Sequence, residues 1–226
     1  MKIVGHLSLF FSIIFLFSSC KKIKEEYYPS GNLKSRIEYR FGKEHGEAVY
    51  YFEEYNRPSL KITMKNGKMN GELLKFFYNG KVETQTFYVD DIQEGVETLY
   101  DLQGNRLVET HYVHGIKEGQ YTSWHDGGDM IREKGAFKQD MFDGQWVYYD
   151  DRGFLVGEGE FTQGNGNLAG YDQNGNLMRI TTYVNNLKHG DDIHFLPNGD
   201  TLKIVTYVND RIEKTMNMTS NSNYEE

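Results

Sequence analysis

The sequence predicts an all-β protein, an elongated single-layer antiparallel meander of repeated β-hairpins with about 24 residues per repeat. Turn signals recur at successive intervals of 25, 24, 24, 24, 25, 22 and 24 residues, and a period this steady is typical of a repeat protein. They lie at Gly31, Asn56, Gly80, Gly104, Gly128, Gly153, Gly175 and Gly199. After Cys20 no stretch keeps apolar residues at helical spacing over three turns, so we expect almost no helix.

The segment from Tyr88 to Gly104 shows the repeating unit in its simplest form. The aromatic residue Tyr88 is followed seven residues later by Gly95, and a second aromatic residue, Tyr100, lies five residues beyond that glycine. Short segments of this kind are typical of antiparallel strands joined by tight turns. Six further units also place an aromatic residue five positions after a mid-unit glycine: Tyr51, Phe76, Trp124, Tyr149, Tyr171 and Phe195.

Each unit holds two stretches of strand length. The second stretch alternates in character, with Glu47, Val49 and Tyr51 on one face, as expected for a half-buried strand. About 15 such strands at a spacing of about 4.8 Å would form a twisted ribbon roughly 70 Å long. Because a single sheet has no second layer to cover it, we expect the aromatic residues to stack on their counterparts one repeat away. The mid-unit glycines are expected to leave room for those rings.

The turn residues agree with this architecture. Three units close with an Asn-Gly pair: Asn79-Gly80, Asn174-Gly175 and Asn198-Gly199. Such pairs favour the left-handed backbone of tight hairpin turns, where glycine has no Cβ penalty. The sixth unit is two or three residues shorter than the others, because Phe161 precedes its mid-unit Gly166 by only five residues.

Residues 1–19 are predicted to be a signal peptide. Lys2 precedes an apolar run from Leu7 to Phe17, which at about 11 residues is too short to cross a bilayer and has the length of a signal-peptide core. The string LFSSC, which ends in the only cysteine of the chain, resembles the lipobox of bacterial lipoproteins. That resemblance implies cleavage after Ser19 and a lipid on Cys20. The alternative is an ordinary secretory signal in which the cysteine is coincidental.

A lipid on Cys20 would tether the mature protein to a membrane. The organisation expected from these features is a lipidated linker at 20–26, a repeat domain at 27–214 and a disordered tail at 215–226. Lys21 and Lys22 occupy positions where lipoproteins retained in the inner membrane often carry aspartate, so the outer membrane is the favoured location. Cleavage removes one of the 25 basic residues and none of the 33 acidic ones, which leaves a net charge of −9. Nucleic acid and anionic lipid surfaces are therefore poor partners.

The repeating units resemble a known family. The segments YVDDIQEGVETLYDLQGN, from Tyr88, and YVHGIKEGQYTSWHDGGD, from Tyr112, are similar to the units of MORN repeats. Their spacing is most similar to that of the bacterial proteins called YwqK-type antitoxins, and the likeness covers about Tyr27 to Tyr207. The resemblance implies a MORN-like repeat fold. The antitoxin label in that family implies neutralisation of a toxin partner, whereas MORN repeats elsewhere imply scaffolding and lipid contact.

The histidines give no indication of a metal or cofactor site. His45 and His189 share one repeat position, just before the mid-unit glycine, which other units fill with Asn, Glu or Asp. We therefore interpret this position as a solvated turn. His111 and His114 are three residues apart, so strand alternation places them on opposite faces, which is poor geometry for chelation.

The acidic residues favour binding over catalysis. Three Asp doublets are interpreted as solvated turns at strand ends: Asp90-Asp91, Asp150-Asp151 and Asp191-Asp192. The segment from Asp172 to Leu177 has leucine where the calcium loop of an EF-hand needs glycine. Motifs for nucleophilic and phosphoryl-transfer chemistry are absent from the sequence. Paired carboxylates for glycoside hydrolysis stay an alternative, although nothing singles out one pair.

Four aromatic residues outside the repeat register are the candidates for an interaction face: Tyr50, Tyr121, Trp146 and Tyr148. Aromatic residues in fixed register fit core packing, so those outside it are expected on the open face, and aromatic side chains are enriched at interfaces. The sequence thus predicts a non-catalytic, membrane-tethered protein-interaction scaffold at the bacterial cell envelope, with an unidentified protein partner. The alternatives are a toxin-neutralising immunity protein and a carbohydrate-binding or carbohydrate-active envelope protein.

Overall fold

The computed structural model describes residues 21–218, which form one antiparallel sheet of 18 strands. The strands are β1 (Lys22–Tyr27), β2 (Leu33–Arg40), β3 (Lys43–Tyr51), β4 (Pro58–Lys65), β5 (Lys68–Phe76), β6 (Val82–Val89), β7 (Ile92–Gln93), β8 (Gly95–Tyr100), β9 (Arg106–Val113), β10 (Ile116–Trp124), β11 (Ile131–Lys138), β12 (Met141–Tyr149), β13 (Leu155–Thr162), β14 (Asn165–Tyr171), β15 (Leu177–Val184), β16 (Leu187–Phe195), β17 (Thr201–Val208) and β18 (Arg211–Asn217). Successive strands pair in a meander, and β7 and β8 both pair with β6 as two parts of one strand. The predicted fold class is confirmed, since residues 21–218 contain no helix.

The sheet extends further at both ends than the sequence predicts. The expectation that residues 20–26 are a linker is wrong from Lys22 onwards, because these residues form β1. This strand pairs with β2, with Lys22 opposite Tyr39 at one end and Tyr27 opposite Leu33 at the other. Tyr27 lies four residues before a turn glycine, as Tyr100 does, so β1 is the second strand of an incomplete unit, and it covers the backbone edge of β2. At the other end, residues 215–217 belong to β18 rather than to a tail. Residues 1–20 and 219–226 lie outside the described part of the chain.

The two faces of the sheet differ in burial. Residues opposite each other in an antiparallel pair share a face, and the cross-strand pairs place the first aromatic residue of each unit on the same side as Ile37, Trp146 and Asp192. Most of the buried side chains lie on this side, which we name the packed face. The second aromatic residue of each unit, such as Tyr51 or Tyr100, lies on the opposite face, and most of these rings are half-buried.

Two kinds of turn alternate along the sheet. Two-residue turns, such as Asp90-Asp91, join the two strands of a unit, and both of their residues are left-handed. Loops with a single left-handed residue close most units, and the loop at Gly127-Gly128 has two; at one of these loops the N–H of Gly80 donates to the carbonyl of Phe77 at 2.9 Å. Asn79 has no positive φ there, so in the Asn-Gly pairs only the glycine takes the left-handed backbone. These loops are turns followed by a left-handed glycine, which is the usual three-residue hairpin connection.

In most units the mid-unit glycine marks a β-bulge rather than a site for a ring; the exception is Gly166, where an added Cβ would lie 2.9 Å from the ring of Phe161. Gly95 has a φ of +83°, and no atom lies within 4 Å of the position of its absent Cβ. Gly71 has a φ of +127°, and the register between β4 and β5 shifts beside it. In the shorter sixth unit β13 and β14 pair without a shift, and Gly166 is not left-handed. The residues that this unit lacks are therefore those of the bulge.

Candidate interaction face

A buried aromatic cluster on the packed face is centred on Trp146, which is only 2% exposed. The centroid of its ring system lies 4.5 Å from that of Phe142, 5.2 Å from that of Phe137 and 5.5 Å from that of Tyr121. Its Nε1–H donates a hydrogen bond of 3.1 Å to the carbonyl of Ala136. The cluster stabilises the middle of the sheet by lateral packing within one layer.

The expectation that Trp146 lies on an exposed face is wrong. The residues beside it on the neighbouring strands of the packed face are Gly135 on β11 and Gly159 on β13. A Cβ on Gly135 would lie 2.2 Å from the indole, so the missing side chain of this glycine leaves the space that the ring fills. Rings from successive repeats are in contact at Phe161 and Tyr183, whose centroids are 5.7 Å apart, but they meet edge to face rather than stacked. The other first aromatic residues in residues 21–218 make no such pair.

The other three candidate residues are half-buried on the same packed face. Tyr121 and Tyr148 both stack on Trp146, with Tyr148 at a centroid distance of 6.5 Å. Tyr121 also donates a hydrogen bond of 3.0 Å to Glu133, and burial raises the pKa of its hydroxyl. Tyr50 lies on β3, six strand positions away from β10, so the structure groups three of the four predicted residues and leaves Tyr50 apart.

Next to this cluster, the packed face has a recess of about 170 Å³. Four residues follow each other across the strands β12 to β15: Tyr148, Gly157, Gly170 and Arg179. The two glycines form a floor without side chains between the walls made by Tyr148 and Arg179. Further lining comes from Val156, Leu168, Ala169, Thr181 and Tyr183. Burial raises the pKa of both tyrosines, so their hydroxyls stay protonated at neutral pH.

Arg179 is held in place by Asp192, a buried carboxylate that is 1% exposed. The guanidinium donates two hydrogen bonds to it, one of them from Nε at 2.6 Å, and the hydroxyl of Thr181 donates a third at 3.0 Å. His194 Nε2 lies 3.4 Å from Asp192 Oδ2. This paired carboxylate fixes the position of the guanidinium at the wall of the recess.

The ionisation of this cluster follows from its burial and its partners. Burial raises the pKa of Asp192, but hydrogen bonds from Arg179 and Thr181, with the charges of Arg179 and His194, outweigh it and lower that pKa below its ordinary value. Burial also lowers the pKa of His194, only partly opposed by Asp192. Asp192 and Arg179 are therefore an ion pair at neutral pH, with His194 uncharged beside them.

Sequence reasoning missed this cluster. The Asp191-Asp192 doublet lies within β16 rather than at a solvated strand end, so that interpretation is wrong for this doublet. Alternation along β16 turns Asp191 to one face and Asp192, with His194, to the packed face. The available signal for a buried carboxylate was the presence of Arg179 and Thr181, two residues apart on the preceding strand. Their pairing with Asp192 depends on strand register, which the sequence does not show.

The position before the mid-unit glycine connects consecutive repeats, a role that its interpretation as a solvated turn missed. Its side chain reaches the first turn residue of the next unit. Glu118 accepts a hydrogen bond of 2.9 Å from the N–H of Gln139, and His45 Nδ1 lies 3.3 Å from Asn66 Oδ1. The equivalent pairs are Asn70–Asp90, Glu94–His114, Asp143–Gln163, Asn165–Asn185 and His189–Asn209.

The Asp172 segment, considered above as a calcium loop, is a structured turn. Oδ1 of Asp172 accepts hydrogen bonds of 2.8 Å from the backbone N–H groups of Asn174 and Asn176, and Oδ2 accepts one of 2.9 Å from the Asn176 side chain. Asp101 and Asp150 cap their own loops in the same way. In residues 21–218 no group of three or more His, Cys, Asp or Glu side chains is placed to hold a metal ion.

The structure does not reach the predicted processing site, because Ser19 and Cys20 lie outside the described residues. Across the described range of 21–218, no helix is long and apolar enough to span a bilayer.

The fold and its packed face define a β-repeat protein built as an open sheet of hairpins. Comparison with protein families finds a MORN repeat variant in three places, at residues 23–40, 69–90 and 165–185. Each match starts in the second strand of one unit and ends in the first strand of the following unit or in the turn after that strand. All three matches therefore begin at the same point of the repeat. A comparison with curated proteins gives no match. The chain therefore carries MORN repeats, which suggest a scaffold that contacts proteins or membranes.

Proposed function

We propose that this protein is a non-catalytic protein-interaction scaffold, tethered to the bacterial cell envelope by a lipid on Cys20, with the outer membrane as its location. The packed face between Tyr121 and Arg179 contacts the partner, a protein. The observation that carries this proposal is the glycine-floored recess beside the Trp146 cluster. Tyrosine, tryptophan and arginine are the residues that most often dominate binding energy at protein interfaces.

The sheet offers this surface as a preorganised platform. At one end of the strands, side chains such as Glu118 bind the turn of the next repeat, and backbone hydrogen bonds such as that from Asp140 N–H to the carbonyl of Lys117 recur there. At the other end of the strands, Asn79 donates to the carbonyl of Leu102 at 2.9 Å. Because consecutive repeats are connected at both ends of their strands, little conformational entropy is lost when a partner binds.

The proposed tether rests on the sequence. LFSSC has the form of a lipobox, and the mature net charge of −9 leaves a lipid on Cys20 as the means of membrane attachment. The first strand begins at Lys22, two residues after Cys20, so the tether leaves the first repeats close to the lipid surface.

Cys20→Ser tests the tether. We expect the wild-type chain to incorporate radiolabelled palmitate and to fractionate with membranes, and the variant to lose both properties. Ser18→Ala, which keeps a small residue two positions before the cysteine, is the matched control and should behave as wild type. A Cys20→Ser chain that still incorporates the label and stays in the membrane fraction contradicts the proposal.

Neighbouring tyrosines on opposite faces allow a test of the proposed partner surface. The affinity-tagged full-length protein is recovered from native membranes, and the co-purifying proteins are identified by mass spectrometry. Tyr148→Ala removes a ring from the packed face, and Tyr149→Ala removes one from the opposite face. We expect a stoichiometric partner to be lost with Tyr148→Ala and retained with Tyr149→Ala. Recovery of only abundant lipoproteins, or equal loss with both variants, contradicts the proposal.

A further inference from the structure

The recess between Tyr148 and Arg179 has the size of one side chain. Its volume of about 170 Å³ is below the roughly 300–1,000 Å³ typical of small-molecule sites. The walls stand on β12 and β15, three strand spacings or about 14 Å apart, and the floor between them is the bare backbone of Gly157 and Gly170. A flat group can therefore lie against the floor without meeting side chains there.

The chemistry of the lining favours an aromatic group. Tyr148 and Tyr183 present rings, Leu168 adds an aliphatic contact, and Arg179 adds a planar cation. Guanidinium groups stack on aromatic faces, and tyrosine rings pack against other rings in offset or edge-to-face arrangements. An aliphatic side chain would use only the apolar part of this lining.

A sugar fits the same lining poorly. Recognition of a sugar needs several free hydrogen-bonding groups, and part of the polar lining is already in use: the hydroxyl of Thr181 donates to Asp192, and Arg179 uses two of its five N–H groups on the same carboxylate. A carboxylate ligand would meet an arginine whose charge Asp192 already balances. A lysine would likewise gain no attraction from this neutral ion pair.

We propose that this recess binds one aromatic side chain, a phenylalanine, tyrosine or tryptophan, from an extended segment of the protein partner. The ring rests on the Gly157–Gly170 floor with one face towards Tyr148 and the other towards the guanidinium of Arg179. Asp192 acts as a positioning residue that holds the guanidinium in place. This inference rests on the proposed function and specifies the chemistry of the partner.

Disulfide trapping tests the recess directly and needs no identified partner. Gly170 is not left-handed, and a Cβ at this position would meet the Cβ of Arg179 at an ordinary 3.6 Å, so Gly170→Cys is compatible with the fold. In the full-length chain with Cys20→Ser, the introduced thiol is the only one. The probes are N-(2-mercaptoethyl)benzamide, N-(2-mercaptoethyl)isobutyramide and 1-thio-β-D-glucose, each competing with 2-mercaptoethanol, and mass spectrometry gives the labelled fraction.

We expect the benzamide thiol to label Gly170→Cys at least about tenfold more favourably than the isobutyramide and glucose thiols. Thr215→Cys, at an exposed position of β18 on the packed face, is the control and should show no preference. Arg179→Met should reduce the aromatic preference at position 170. Gly157→Cys, on the other side of the floor, should reproduce it if Gly170→Cys fails to fold. Equal labelling by all three thiols, or preference for the glucose thiol, overturns the inference.

Failure of this inference can be distinguished from failure of the proposed function. Gly170→Val fills the recess without removing a ring. If Tyr148→Ala loses the partner while Gly170→Val retains it, the packed face binds but the recess is not the anchor site. If the benzamide preference is present while no specific protein co-purifies with the tagged chain, the recess is as proposed and the scaffold function is wrong.

Discussion

The backbone of Gly135 lies directly against the indole ring of Trp146, so that a Cβ added to this glycine would come within 2.2 Å of the ring. Gly135 is on β11, and Trp146 is beside it on β12. A single layer can bury a tryptophan in this way because the adjacent strand contributes no side chain. The ring then packs sideways on Tyr121 and Phe137 rather than on a second layer.

Gly135→Ala is expected to destabilise the sheet. The new methyl group forces the indole out of its position, and overpacking of this kind costs roughly 1–3 kcal/mol in free energy of unfolding. Urea unfolding followed by tryptophan fluorescence measures the change. Gly170→Ala is the matched control, since its added Cβ meets only an ordinary contact, and we expect a change of at most about 0.5 kcal/mol. Equal unfolding midpoints for the two variants would contradict the role assigned to Gly135.

Asp192→Asn is expected to lower the free energy of unfolding by roughly 2 kcal/mol, because it removes the charge that pairs with Arg179. The value is below that of a fully buried pair, since the Arg179 side chain is 38% exposed. Asp191→Asn changes the neighbouring residue on the opposite face, where the carboxylate accepts a bond from Thr206, and should cost less than about 0.5 kcal/mol. If both variants unfold alike, the buried pair does not stabilise the sheet.

Acid should weaken the protein in two steps through this cluster. The folded-state pKa of His194 is lowered from 6.5, so the unfolded chain binds its proton more tightly and stability falls as the pH drops below about 6.5. The pKa of Asp192 is lowered from 3.8, so its contribution is present above about pH 3.8 and is lost as the pH falls further. Urea unfolding between pH 8 and pH 2.5 measures both steps.

Two substitutions separate these steps. His194→Gln should remove the loss of stability between about pH 6.5 and pH 5 and leave the later one. Asp192→Asn should make the curve less steep below about pH 3.8, where Asp101, Asp150 and Asp172, whose pKa values are also lowered, still contribute. A His194→Gln protein with the same pH dependence as wild type between pH 8 and pH 5 would show that His194 does not titrate with folding.

The repeat fold was predictable because its signals are local. The seven-residue and five-residue spacings around Gly95, together with turn signals every 24 residues or so, determine strand length, turn position and meander topology. Which face of the sheet is the more buried was not predictable in the same way, because each face carries one of the two repeated aromatic residues of every unit. Trp146 is expected on an exposed surface from the sequence because its burial depends on Gly135, which only the register of β11 and β12 places beside it.

The position before the mid-unit glycine illustrates the same limit. Its variation among His, Asn, Glu and Asp is typical of solvated turns, yet all of these residues have an oxygen or nitrogen atom that can bind a neighbouring repeat. The partner of Glu118 is Gln139, 21 residues further along the chain. One sequence shows the shared position but not the contact.

The hydrogen bond from Gln139 to Glu118 leads to a local prediction. Glu118→Ala removes the acceptor of the Gln139 N–H, which should cost about 1 kcal/mol and raise hydrogen exchange at that amide roughly fivefold, since RT is about 0.6 kcal/mol. Glu118→Gln keeps a side-chain oxygen at the same place and should preserve the protection of this amide. The amides of β2 and β3, three repeats away from Glu118, should be unaffected by either variant, because each repeat contacts only its neighbours. If exchange at Gln139 rises equally in both variants, charge rather than the hydrogen bond connects the two repeats; if it rises in neither, the contact does not protect the turn.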